Sequence, residues 1–283
     1  MSAFRRAGRG KKPKHRTNAK VKPPSALSAE ECFMQGVGAL EMMQPEVAYK
    51  FLTQANSMKE GDVDVLDALV EACVQLGRRD EALSLCSLCV TINPTGSYER
   101  WLTLAQLQSG RDSLSSYQRG GELLTAHMAT LDVSAGEARL HSLRSALCRI
   151  HASMAELFLT DLCFEDGAEQ NCEQLVGMAQ AQDSTNLDGL QVAASLRLSQ
   201  NRVADATSIL AEVYRQTMLR RTAYNQRTVL QDLIPQVGSS DEGLDNGEDD
   251  IPSMEFSLQT AKMIVECAKN EPELNVQAIE LLR

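Results

Sequence analysis

Apolar residues recur along most of this chain at the three- and four-residue spacing of a helix face. Two such stripes follow each other between Val63 and Gly96, and their members are Leu66, Leu69 and Cys73, then Ala82, Cys86 and Cys89. Leu76-Gly77 is a typical end for the first helix, Asp80 can cap the second, and Asn93-Pro94 stops it. No alternating strand pattern of useful length appears. The pattern therefore predicts an all-α chain of helical hairpins.

The hairpin of residues 63–96 resembles the tetratricopeptide repeat, a helix–turn–helix unit of about 34 residues. Small or apolar residues recur near that spacing in an earlier copy (Gly36, Ala48, Ala55), a third (Trp101, Leu104, Ala105, Tyr117, Gly120) and a fifth (Leu190, Ala193, Ala194, Ala206, Leu210). The resemblance implies a tetratricopeptide-repeat α-solenoid, a right-handed superhelix of helical hairpins. We expect about five hairpins over residues 28–237.

The stretch FLTDLCFEDGAEQNCE, residues 158–173, has two readings. Its acids and cysteines could form a metal or catalytic site, or its Asp166-Gly167 could be the turn of a hairpin between the third and fifth copies. The second reading is favoured because a helix fits residues 138–162 and an apolar stripe follows, made of Ala168, Cys172 and Leu175. Asp166 would then cap the following helix, and Gly167 would tolerate a positive φ.

Composition divides the chain into four parts. Residues 1–27, rich in Gly, Pro, Lys and Arg, are predicted to be a disordered basic tail. Residues 238–253 are predicted to be an acidic linker or loop, and residues 254–283 a further hairpin packed through Ala261 and Ala278. The last hairpin ends inside an apolar helix without a solvating cap, which predicts a fragment or an unusually short last repeat.

Charge is distributed unevenly along the chain. Residues 1–24 carry nine Lys or Arg and no acid, so the other 259 residues have 19 basic and 38 acidic side chains. An acidic body favours a cationic partner and disfavours direct contact with nucleic acid. The tail is predicted to serve nuclear import, and a solvated or RNA-touching tail is the alternative; its basic residues include Arg5, Arg6, Arg9, Lys11, Lys12, Lys14 and Arg16.

Enzyme, metal and membrane functions find little support. Cys86 and Cys89 have no second ligand pair at zinc spacing, and with Cys163 and Cys172 they are predicted to be small core residues. His127, His141 and His151 have no catalytic partner at motif spacing. No apolar stretch approaches the length of a membrane helix, and no signal peptide precedes the body. We therefore expect a soluble intracellular protein that is not an enzyme and needs no cofactor.

The predicted partner site is the concave face, which the first helix of each repeat lines. Lys, Asn and Arg hold a chaperone carboxylate at this face in many such arrays, but this chain has Phe33, Val37, Asp67 and Glu71 at the corresponding places. Acids there would suit a basic segment, although a merely solvated helix face is the alternative. The predicted client-binding residues are Asp64, Asp67, Glu71, Glu99, Asp161, Asp188, Phe33 and Leu102.

Three motifs carry a narrower resemblance: TDLCFE followed by AEQNCE, ASLRLSQNR, and EFSLQTAKMIVE beyond the acidic break. From about residue 29 onwards the chain resembles the dedicated assembly chaperones of the large-subunit ribosomal protein uL-four. The resemblance implies a nucleotide-independent solenoid that captures new uL-four in the cytoplasm, shields its basic internal loop, enters the nucleus with it and delivers it for ribosome assembly. An import receptor would bind the tail. The alternatives are a generic tetratricopeptide scaffold and an RNA-associated factor acting through the tail.

Overall fold

A computed structural model of the protein describes residues 27–131, 136–233, 251–268 and 272–282. These residues form twelve helices and no strand, which confirms the predicted all-α class. The helices are α1 (Ala29–Glu41), α2 (Pro45–Met58), α3 (Val63–Gln75), α4 (Arg79–Ile92), α5 (Tyr98–Leu107), α6 (Gly110–Thr130), α7 (Glu137–Leu159), α8 (Ala168–Gln182), α9 (Leu187–Ser199), α10 (Val203–Leu233), α11 (Met254–Cys267) and α12 (Pro272–Leu281).

The chain divides into two compact units, the first reaching Arg78 and the second beginning at Arg79. In the first unit, α1 packs on α2 and α2 on α3. In the second unit, α5 packs on α6, α7 on α8, α9 on α10 and α11 on α12, as expected of successive helical hairpins. Within the described ranges, no helix combines the length and apolarity that a membrane crossing requires.

The first unit begins at a capping box. Glu31 N donates to Ser28 Oγ (3.2 Å) and Ser28 N donates to Glu31 Oε2 (2.9 Å), which satisfies two backbone groups at the start of α1. Gly36 lets α1 approach α2 closely, because a Cβ at this position would lie 2.5 Å from Leu52 Cγ. A small residue at position 36 is therefore required for the packing of this hairpin.

The core of the second unit is centred on α6, α7, α8 and α9. Leu124, Ile150, Ala155, Cys172 and Leu196 are all at most 2% exposed in this cluster. The predicted repeat positions are buried except Trp101, which is half-buried, and the buried ones include Ala168, Cys172 and Leu175 after the Asp166-Gly167 turn. The structural interpretation of residues 158–173 is thus confirmed.

Three local predictions were wrong. Asp80 lies inside the first turn of α4 and does not cap it, because that helix already begins at Arg79. The N-cap of α8 is Gly167 itself, with a φ of 77° and no side-chain cap, so Asp166 does not fill that role. Cys163 is exposed because α7 ends at Leu159 and the chain has already left the helix there, whereas Cys172 is buried.

The last hairpin is fastened to α10 by Arg221. Its guanidinium donates to Glu280 O (3.1 Å) and Leu281 O (2.7 Å), two carbonyl groups in the last turn of α12, and to Ser257 Oγ (3.2 Å) on α11. A cation at a helix C-terminus satisfies carbonyl groups that have no partner in their own helix. The basic tail up to residue 26 and residues 238–250 of the predicted acidic linker lie outside the described residues.

Candidate functional site: an acidic groove on the second unit

A groove of about 500 Å³ opens among α5, α6, α7, α9 and α11. Three acids line it, Glu99 from α5, Glu156 from α7 and Asp188 from α9, together with the cation Arg149. Its walls also include aromatic and aliphatic side chains, namely Tyr98, Leu102, Tyr117, Ile150, Leu159 and Val192. We call this feature the acidic groove. Its mixture of carboxylates and apolar walls can hold a segment that carries both positive charge and hydrocarbon.

Two capped helix starts position acids in the acidic groove. Ser97 caps α5 by accepting from Glu99 N (3.1 Å), which places Glu99 in the first turn. Asn186 caps α9 through its Oδ1, which accepts from Asp188 N (3.0 Å) and Gly189 N (3.1 Å). The Asn186 Nδ2 donates to Ser145 Oγ on α7 (2.9 Å), so the cap also fixes α9 against its neighbour. Short polar caps of this kind define where a helix begins.

The groove acids repel one another and are incompletely neutralised. Partial removal from water by the groove walls raises the pKa of Glu156, and the nearby Asp188 and Glu255 raise it further. Partial desolvation also raises the pKa of Asp188, while Arg149 and Arg220 oppose that rise. Both carboxylates keep contact with solvent. A bound cation would relieve this repulsion and favour the ionised forms.

The tyrosine at the rim stays neutral. Burial raises the pKa of Tyr98 to about 12, and the neighbouring Glu99 carboxylate contributes to that rise. A neutral phenol next to carboxylates adds an aromatic surface to the groove without adding charge. Cationic side chains pack favourably on such surfaces.

One side of the acidic groove is completed by α11, which lies far along the sequence. Gln191 Nε2 on α9 donates to Phe256 O (3.1 Å) and Thr260 Oγ1 (2.7 Å) on α11. The adjacent Gln259 lines the groove. The hairpin beyond the predicted acidic linker is therefore part of the site.

The predicted client-binding residues occupy different places. Glu99, Leu102 and Asp188 line the acidic groove. Asp161 lies in the turn after α7, where its Oδ2 accepts from Gly110 N at the start of α6 (2.8 Å). It is absent from the groove lining because α7 ends at Leu159, before the predicted end at residue 162.

The other predicted residues belong to the first unit. Asp64, Asp67 and Glu71 lie on α3, and Glu71 Oε1 accepts from Gln75 Nε2 of the same helix (3.1 Å). Phe33 on α1 is half-buried and packs against the cluster formed by Cys32, Phe51, Ala55 and Val65. The predicted client-binding acids of the first unit thus share one helix, whereas the acids of the acidic groove come from three.

Sequence reasoning missed Arg149 and Glu156, although a signal was present. Arg149, Ser153, Glu156 and Thr160 follow at spacings of four, three and four residues, and all four line the acidic groove. They form a polar stripe through the apolar run of α7. A polar stripe in the middle of an otherwise buried helix indicates a face that borders solvent or a ligand.

Other candidate sites have structural explanations. Cys86 and Cys89 are buried in α4, and Cys172 Sγ lies 3.5 Å from Ala155 O. Burial lowers the pKa of His151, which is 8% exposed, so this imidazole is neutral at physiological pH. In the part of the chain that the structure describes, no group of three or more His, Cys, Asp or Glu side chains is arranged to hold a metal ion.

Two proteins described as "Probable assembly chaperone of rpl4" are similar to this chain in sequence. The one from Schizosaccharomyces pombe is 37% identical over 116 residues, which are 41% of this chain and 33% of that protein. The one from Emericella nidulans is 30% identical over 175 residues, 58% of this chain and 42% of that protein. The chain thus spans less than half the length of these relatives. No protein-family model matches it.

A solved structure described as "Assembly Chaperone of RpL4 (Acl4) (Residues 1-338)" has the same fold. It superposes with a TM-score of 0.63 over 90% of this chain and 94% of that one, at 22% sequence identity. At this identity the similarity shows the fold. Both sequence relatives and this structure are described as assembly chaperones.

Proposed function

We propose that this chain is an assembly chaperone of rpl4, the ribosomal protein uL-four, and that the acidic groove holds a basic segment of it. The convergence of Glu99, Glu156 and Asp188 on one apolar-walled groove is the observation that carries the proposal. The names of the two sequence relatives and of the structural match support the choice of partner.

The physical role would be to neutralise and shield the basic internal loop of the ribosomal protein. An unpaired basic segment attracts RNA non-specifically through its phosphates. Carboxylates in a partly desolvated groove compete for that charge through charge-assisted hydrogen bonds, while Leu102 and Tyr98 contact the hydrocarbon parts. Binding of this kind weakens as salt rises and needs no nucleotide.

The test is the affinity of the full chain for the isolated basic internal loop of rpl4, beside a charge-matched scrambled peptide, at low and physiological salt. We expect the native loop to bind at least tenfold more tightly than the scrambled peptide at physiological salt, a difference of about 1.4 kcal/mol. Equal binding of both peptides, lost together as salt rises, would contradict a dedicated chaperone and favour a generic scaffold.

We also propose that the basic tail serves nuclear import, so that the protein works in both cytoplasm and nucleus. The nine Lys and Arg residues in the first 24 positions support this, because clusters of this composition are typical import signals. Fusing residues 1–26 to a fluorescent protein should concentrate it in nuclei. Even distribution of the fusion between the compartments would contradict the assignment.

A further inference from the structure

The turn between α7 and α8 presents a phenylalanine fully to solvent. The Phe164 side chain is 99% exposed, more than any other large apolar side chain among the described residues. Single exposed apolar residues are common on protein surfaces, and most need no explanation. This one differs because the segment that carries it is fixed to the body of the second unit.

Two side chains next to Phe164 fasten the turn to α6. Asp161 Oδ2 accepts from Gly110 N (2.8 Å), and Glu165 Oε1 forms an ion pair with Arg111 Nε (2.7 Å). Between them, Leu162 is only 4% exposed and points into the core. The chain thus alternates a buried Leu162 with an outward Phe164. The ring is displayed by a preorganised turn, so burying it in a partner costs little conformational entropy.

The turn begins at the acidic groove. Leu159 and Thr160 line the groove, and Phe164 follows Thr160 by only four residues. Four residues of extended chain span at most about 14 Å. A protein whose basic segment lies in the acidic groove would therefore bring its adjoining parts close to this ring.

Almost the whole surface of the Phe164 ring is available to a partner. An extended peptide touches an outward-pointing side chain on one face, whereas a concave apolar pocket surrounds it and removes most of its surface from water. The neighbouring Asp166 is also exposed, so a basic rim would suit that pocket. Full burial of the ring requires such a pocket, and a folded surface offers one, whereas a flexible loop does not.

We propose that Phe164 is an anchor residue for an apolar pocket on the folded part of the protein whose basic segment occupies the acidic groove. This inference rests on the proposed function, which supplies rpl4 as the partner. The chain would then hold its client at two points of different chemistry. The groove contact is ionic and sensitive to salt, whereas the Phe164 contact is apolar and resists salt.

The test compares Phe164→Ala with the unmodified full chain on two ligands, full-length rpl4 and its isolated internal loop. Removing an aromatic anchor at the centre of an interface typically weakens binding by on the order of 30-fold. We expect about that loss for full-length rpl4 at physiological salt and less than a twofold change for the loop. Leu88→Ala on α4, where the leucine is 45% exposed and outside the groove lining, is the matched control and should change neither affinity.

Phe164→Leu should recover part of the affinity for full-length rpl4, because the pocket would still bury an apolar side chain. Unchanged binding of full-length rpl4 by Phe164→Ala would overturn the inference. So would an equal loss for both ligands, because Phe164 would then belong to the groove contact itself. If the unmodified chain binds neither ligand, the proposed function is contradicted and the inference falls with it.

Discussion

The acids on α3 of the first unit and those in the acidic groove of the second unit have different origins in the sequence. Asp64, Asp67 and Glu71 lie within eight positions on a single helix. Glu99 and Asp188, by contrast, are separated by almost ninety positions and border the same groove only because α5 packs on α6 and α9 packs on α7. A stripe on one helix is a local pattern, whereas the groove is a product of tertiary packing.

The difference has electrostatic consequences. The α3 stripe includes Glu71, whose carboxylate already accepts a hydrogen bond from Gln75 one turn along. In the acidic groove, partial desolvation raises the pKa of both Glu156 and Asp188, and neighbouring carboxylates raise the pKa of Glu156 further, so ionisation of these two acids is disfavoured. Ligand sites are typically places where such unfavourable charge is concentrated. We therefore propose that cations bind at the groove rather than at the stripe.

Reversing charge in the groove should produce the largest effect. Glu156→Lys with Asp188→Lys would place two cations against the basic loop, and truncated or mismatched interface charges cost several kcal/mol. We expect the affinity for the rpl4 loop to fall by about 100-fold or more at physiological salt, a change of about 2.7 kcal/mol. Isothermal titration of the full chain measures it.

The matched control reverses the α3 acids, Asp67→Lys with Glu71→Lys, which adds the same net charge. Asp67 and Glu71 are absent from the groove lining, and exposed charges contribute little to binding at physiological salt. We therefore expect the affinity for the loop to decrease less than about threefold. If the two double variants lose affinity equally, net charge rather than the groove governs binding.

Substitutions at two close-packed glycines, one in each unit, should affect stability alike but loop binding differently. Gly36→Val would press a Cβ against Leu52, which is fully buried, and overpacking of this kind costs about 1–3 kcal/mol. Gly120→Val would displace Leu102, whose Cδ2 lies 2.7 Å from the added Cβ and which lines the groove. Chemical denaturation should show both losses, but only the second should also weaken loop binding. Weaker loop binding by a folded Gly36→Val variant would contradict the assignment of loop binding to the second unit alone.

Arg79 offers a smaller and purely structural test in the second unit. Its Nη2 lies 3.0 Å from Gln106 O, 2.8 Å from Leu107 O and 3.4 Å from Gln108 O at the end of α5. Arg79→Met should lower the free energy of unfolding by about 1 kcal/mol, because these carbonyl groups lose a charged donor. Loop affinity should change less than twofold, and Arg79→Lys should restore part of the stability.

The smallest effect is expected from pH. Because the pKa values of Glu156 and Asp188 are raised, these acids gain protons before ordinary carboxyl groups as pH falls from 7 toward about 4. Loop affinity should therefore fall several-fold in that window, and Glu156→Gln with Asp188→Asn should flatten the dependence. The free energy of unfolding of the unliganded protein should instead receive a favourable contribution as pH falls, since protonation in the groove removes a destabilising charge. Identical pH profiles of loop affinity for the unmodified chain and for the Glu156→Gln, Asp188→Asn variant would contradict the role of these two acids in binding.

The helices were predictable because their signals are local. Buried stripes such as Leu66, Leu69 and Cys73 follow a helical period, and the stop at Asn93-Pro94 marks the end of α4 correctly. Predictions were wrong where a shift of a few residues in a helix boundary changes the surroundings of a side chain. Placing the end of α7 at residue 162 instead of Leu159 put Asp161 on a helix face, when its carboxylate actually holds the start of α6.

The groove was predicted only in part, for a related reason. Repeat register selected Glu99, Leu102 and Asp188, which line the groove, but Gln259 reaches the groove across a long sequence separation through the contacts of α11 with Gln191. Register within one repeat carries no information about such an approach. Glu156 could have been predicted from the sequence, because it belongs to the polar stripe of α7.

The most direct measurement is photo-crosslinking from a single position on each surface. Benzoylphenylalanine would replace Gln106, an exposed residue of the acidic groove, or Gln75, an exposed residue of α3, in the full chain. The account predicts crosslinks from position 106 to the basic loop of rpl4, suppressed by Glu156→Lys with Asp188→Lys, and none above background from position 75. Crosslinks from position 75 without any from position 106 would contradict it.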